Sequence, residues 1–102
     1  MLSLKKLNKK EKILFKYIYQ NHLVNIHMLY DNFILDYDII QYSQDDMEVQ
    51  LNIEINVINM QLRNIQKNSL ITLFNKDNNL YIELTSDVKN VKRTNIIKKI
   101  IK

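Results

Sequence analysis

The chain runs for 102 residues without a single glycine or proline. Glycine is the residue that enters the left-handed backbone region without steric cost. Turns and helix ends must therefore be built from other residues, asparagine foremost, because its short polar side chain tolerates that region. The same absence excludes a P-loop, a dinucleotide fingerprint and a nucleophile elbow, each of which needs glycine where the backbone turns tightly or meets a phosphate. Cysteine is also missing, so no disulfide framework, thiolate chemistry or Cys-based zinc site can form. Isoleucine, asparagine and lysine dominate the sequence. All three have AT-rich codons, so part of the lysine content reflects codon bias rather than a ligand. The isoleucine content argues against disorder, and the length suits one domain with a modest core.

Charge is segregated. Residues 1–20 carry net +5, residues 21–60 net −7 and residues 61–102 net +6, for an overall +4. A chain charged in this order can fold into a bipolar particle with one face toward a polyanion. The alternative is a set of solvated helix faces in a lysine-biased protein. Met1–Leu4 leads into Lys5 and Lys6 with no apolar stretch of signal-peptide type after them. The longest segment free of Lys, Arg, Asp and Glu, Tyr17 to Tyr30, holds Gln20, Asn21, His22, Asn25 and His27 and is too polar to span a bilayer. The expectation is a cytoplasmic protein without a membrane partner.

Asn8-Lys9-Lys10-Glu11 has the form of a capping box, and Ile13, Leu14, Tyr17 and Ile18 follow at helical spacing, predicting a helix over Lys9 to about Gln20. Met28, Leu29 and Phe33 suit a short helix from about Asn25 to Leu35, and Ile39–Tyr42 a short strand. Ser43-Gln44-Asp45-Asp46 is a second cap signature, predicting a helix to about Leu51 that ends at Asn52-Ile53. Ile58, Leu62 and Ile65 form the apolar stripe of a further helix, about Ile55 to Asn68. Leu70–Phe74 and Leu80–Leu84 read as strands joined by the polar run Asn75–Asn79, which has hairpin-turn chemistry. A last helix is expected from about Asp87 to Ile101.

Residues 39–84 resemble the winged helix-turn-helix family of DNA-binding domains. The resemblance rests on Ser43, on Met47 with Leu51, on Asn52-Ile53, on the Ile58-x3-Leu62-x2-Ile65 stripe and on Ser69-Leu70-Ile71, with the hairpin to Leu84 as the wing. Two positions that are usually glycine in that family are Asn52 and Ser69 here. Ser69 costs strain if its site demands positive φ. The resemblance implies a mainly α fold with a small β-hairpin: one winged-helix domain over residues 1–102, with a recognition helix at about 55–68, a wing at about 70–84 and a C-terminal helix at about 87–101. It also implies binding to double-stranded DNA, no enzymatic activity and no cofactor.

On that reading the exposed side of the recognition helix meets the major groove. Asn56 and Asn59 can pair bidentately with adenine, Val57 and Met60 can touch thymine methyls, Arg63 can reach guanine or phosphate, and Lys67 a phosphate. This set favours AT-rich targets. Lys76 in the wing and Ser43, Gln44 and Thr72 are further candidate DNA contacts, and Lys5, Lys6, Lys9, Lys10 and Lys12 add positive charge at the start. Ile96, Ile97, Ile100 and Ile101 form a stripe too large for a small core to cover, so a homodimer interface is expected there. The short winged chain and its composition are further similar to the TubR-type centromere-binding proteins of plasmid and phage partition systems. That likeness implies repeated DNA sites and a tubulin-like filament protein as partner. A small transcriptional repressor is the competing role. A winged-helix protein–protein interaction module without DNA binding is the alternative of a different class. His22 and His27, five residues apart, do not share a helix face and make no metal site. No nucleophile, base and orienting group can be named together.

Overall fold

The computed structural model describes residues 6–34 and 45–90. They form a mostly helical fold with a small three-stranded antiparallel sheet. In chain order the elements are α1 (Lys9–Asn21), β1 (Leu23–Asn25), α2 (Ile26–Phe33), α3 (Asp45–Lys67), β2 (Ile71–Lys76), β3 (Asn79–Leu84) and α4 (Ser86–Asn90). The sheet order is β1-β3-β2, an arrangement compatible with a winged helix.

α1 opens on a complete capping box. Asn8 Oδ1 accepts from the Glu11 amide at 2.8 Å, and Glu11 Oε1 accepts from the Asn8 amide at 2.9 Å. Two of the orphan donors at the helix start are thereby satisfied. The Glu11 side chain is buried while doing so. The helix closes at His22, whose N–H donates to the Ile18 carbonyl at 2.8 Å with φ at 67°. Asn25 caps α2 through its side chain, which accepts from the His27 amide at 2.9 Å.

β1 is only three residues long, and its place in the sheet comes from pairing with β3: Leu23 opposite Glu83, Val24 opposite Ile82, Asn25 opposite Tyr81. No alternating pattern marks it in the sequence. β2 and β3 pair from Ile71–Leu84 to Lys76–Asn79. Asp77 and Asn78, the two turn residues, both have positive φ, as a tight two-residue hairpin requires.

α3 corrects the expected helix–turn–helix boundary. One helix of 23 residues replaces the separate helices expected at 44–51 and 55–68. Asn52 lies inside it and has no positive φ. The reason is energetic. Asparagine in a helix interior is only mildly unfavourable, and Leu51 and Ile58, seven residues apart, are both buried, so continuing the helix keeps both on one apolar face. The real end comes at Asn68-Ser69. The Ser69 amide donates to the Gln66 carbonyl at 2.9 Å and the Leu70 amide to the Ile65 carbonyl at 3.4 Å. With Ser69 at φ 64°, this is a Schellman cap made with serine where glycine is usual.

The core is continuous. Leu14, Phe15 and Ile18 of α1, Leu29 of α2, Leu62 and Ile65 of α3, and Ile71 and Ile82 of the sheet are all fully buried in one cluster. Thr85 then ties β3 to α4. Its Oγ1 donates to the Ser69 carbonyl at 2.8 Å, and the Val88 amide donates to Thr85 Oγ1 at 3.4 Å. The strand expected at 39–42, Ser43, Gln44, and the isoleucines at 96, 97, 100 and 101 lie outside the described residues. Among the described residues, no helix is long and apolar enough to cross a membrane.

Candidate nucleic-acid interface

The stripe of Ile58, Leu62 and Ile65 is 5%, 1% and 0% exposed. Helical geometry then turns Asn56, Met60, Arg63 and Lys67, spaced at i, i+4, i+7 and i+11, to the opposite side. All four are exposed, Met60 at 67%. They lie along about 16 Å of helix axis, at 1.5 Å per residue. From Ile55 to Lys76 the sequence holds no Asp or Glu, while Arg63, Lys67 and Lys76 supply cations. The acids of α3, Asp45, Asp46, Glu48 and Glu54, all fall in its N-terminal half. The exposed charges on the C-terminal half of α3, Arg63 and Lys67, are therefore all positive.

Asn59 lies on the flank of α3 that faces α2. It is half-buried, and its Oδ1 accepts a hydrogen bond from the Tyr30 hydroxyl at 3.2 Å. That bond engages one of the two lone pairs of the oxygen. Asn59 also lines a cleft of about 480 Å³ between α2, α3 and the hairpin. Ile26, Leu62, Leu73 and Leu80 give the cleft an apolar floor, and Arg63, Asn75, Asn78 and Asn79 give it polar walls. Val57, expected at the thymine methyls, borders a second groove on the other flank of α3. That groove and the engagement of Asn59 carry no local sequence signal, since each is made by residues distant in the chain.

The hairpin presents exposed Thr72 and Lys76, with Phe74 stacked on Tyr81 at a centroid distance of 5.6 Å. Lys89 is paired with Glu83 at 2.7 Å on the surface. His22 and His27 are both exposed. Among the described residues, no cluster of three or more His, Cys, Asp or Glu could hold a metal ion. No family model, curated protein or solved structure matches the chain.

Proposed function

We propose that the chain is a sequence-specific double-stranded DNA-binding protein of the winged helix-turn-helix type. The observation that carries this reading is the burial of Ile58, Leu62 and Ile65, with an exposed, acid-free stripe of Asn56, Met60, Arg63 and Lys67 on the other side of α3. Such a helix is of a size that the major groove, about 12 Å wide, admits. Asn56 reads adenine, Met60 contacts thymine methyls, and Arg63 and Lys67 contact guanine or phosphate. The sugar–phosphate strand beside the reading helix follows the polar wall of the cleft, toward Asn78, Asn79 and Lys76 at the hairpin. Targets are AT-rich. The protein works as a transcriptional repressor or as a partition adaptor that couples repeated sites to a tubulin-like filament protein.

Exposed Ile53, Val57 and Met60 on the same helix favour a second reading, a winged protein–protein module without DNA binding. Titration of a labelled AT-rich duplex at several salt concentrations separates the two. Three phosphate contacts per chain predict a slope of about −2.7 in log K against log salt, or about 40-fold weaker binding per chain between 50 and 200 mM. Absence of DNA retention even at low salt overturns the DNA-binding reading. Footprinting of the DNA flanking its own gene then separates the roles: one short site for a repressor, an array of repeats for a partition adaptor.

A further inference from the structure

A groove of about 340 Å³ runs between α1, the end of α2 and the flank of α3. Its rim is Ile13, Phe33 and Val57, all exposed. Its floor is made by core residues, among them Leu14 and Ile58. Large apolar side chains scattered singly over a surface need no explanation, but a cluster around one concavity marks a contact site. The rim is also held in shape. Phe33 packs edge-on against Tyr17 at 5.5 Å, and the Asn32 side-chain amide donates to the Tyr17 hydroxyl at 3.0 Å. A preformed rim loses little freedom on binding.

Two opposite charges line the same groove. Lys10 stands in it on α1 and Glu54 on α3. Glu54 Oε2 is buried and has no hydrogen-bond partner among the described residues, and the ion pair seen among those residues is Lys89–Glu83. Glu54 as a whole is half-buried and Lys10 is exposed, so both charges border the open face of the groove.

An apolar centre flanked by one acid and one base is complementary to itself. In a two-fold interface residue i of one copy meets residue j of the other, and j meets i. We propose that this groove seats a second copy of the chain about a two-fold axis. The Ile13, Phe33 and Val57 rims pack together, and Lys10 of each copy donates to Glu54 of the other. Val57 faces the groove while Asn56, Met60, Arg63 and Lys67 point elsewhere, so the dimer leaves the outward stripe of both α3 helices uncovered. The proposal does not rest on DNA binding and is tested without DNA.

The test is charge reversal in the full-length chain, read by sedimentation at tens of micromolar. The wild-type chain sediments as a dimer. Lys10→Glu alone and Glu54→Lys alone each place like charges together at both contacts, and each weakens self-association at least about 100-fold. Mixing those two variants restores opposite charges at both contacts and yields a heterodimer, and the double variant dimerises with itself. The rescue also shows that the single variants fold. A wild-type monomer at these concentrations overturns the proposal. So does a dimer that survives either single reversal, which would place the interface elsewhere, such as at Ile96, Ile97, Ile100 and Ile101. Single reversals that are monomeric but fail to associate when mixed also overturn it.

Discussion

The Tyr30 hydroxyl of α2 donates to Asn59 Oδ1 of α3 across 3.2 Å, joining two residues 29 apart in the chain. The bond sets α2 against α3 and turns the Asn59 amide into the cleft beside the hairpin. Tyr30→Phe keeps the ring and removes the donor, so it is expected to cost about 1 kcal/mol of stability. Asn59→Ala removes the acceptor and costs a similar amount. The double variant costs less than the sum, with a coupling of about 0.5–1 kcal/mol measured by chemical denaturation of all four proteins. Strict additivity would show that the two side chains act independently.

Asn52 and Ser69 make opposite demands on the backbone, and substitution by glycine distinguishes them. Ser69 sits at φ 64° in the Schellman cap that ends α3. Ser69→Gly relieves the left-handed penalty and is expected to stabilise the fold by about 0.5–1 kcal/mol. Asn52 lies within α3. Asn52→Gly is therefore mildly destabilising, by a few tenths of a kcal/mol, and Asn52→Pro costs about 3 kcal/mol. A helix that turned at Asn52 would instead gain from glycine there. Thermal or urea denaturation of the three variants reads the sign directly.

The parts of the fold visible in the sequence are those whose causes are local. Asn8 and Glu11 are three residues apart and form the capping box wherever α1 is placed. The spacing of Ile58, Leu62 and Ile65 needs only helical geometry to define the buried face. The polar run between β2 and β3 is its own turn signal. β1 carries no signal of its own, because Leu23-Val24-Asn25 becomes a strand only by pairing with Glu83, Ile82 and Tyr81 far along the chain. Asn52 looks like a helix end in the sequence because a glycine-free chain uses asparagine both inside helices and at their ends, and only the continuity of the apolar face tells the two apart. The candidate interface divides the same way. The outward stripe follows from periodicity, whereas the bond from Tyr30 to Asn59 and the position of Val57 on the groove follow from tertiary approach.

The hairpin tip supplies a further test of turn chemistry. Asp77 and Asn78 both adopt positive φ, and glycine at the second position is strongly preferred in such turns. Asn78→Gly is expected to raise stability by about 0.5–1 kcal/mol. Because Asn78 also lines the cleft, the same variant removes an amide from the proposed DNA path. More stable protein with weaker duplex binding would separate the two roles of that residue. Unchanged binding would place the DNA strand away from the hairpin tip.

On the outward stripe, base reading and charge neutralisation leave different signatures. Lys67→Ala and Lys76→Ala each remove a cation without a base contact. Each is expected to weaken binding to every duplex alike and to flatten the salt slope by about 1. Asn56→Ala removes an adenine contact. It is expected to cost about 1–3 kcal/mol on the preferred AT-rich site, with little change on unrelated DNA and no change in slope. Arg63 stands at the boundary between the stripe and the cleft. If it reads guanine, Arg63→Ala relaxes specificity at one base pair by about 1–3 kcal/mol; if it holds phosphate, the loss is uniform and the slope falls. All four residues are exposed, so the substitutions leave the core intact, and thermal denaturation should find each variant within about 0.5 kcal/mol of the wild type. Full retention of affinity and specificity in Asn56→Ala and Arg63→Ala would remove α3 as the reading helix.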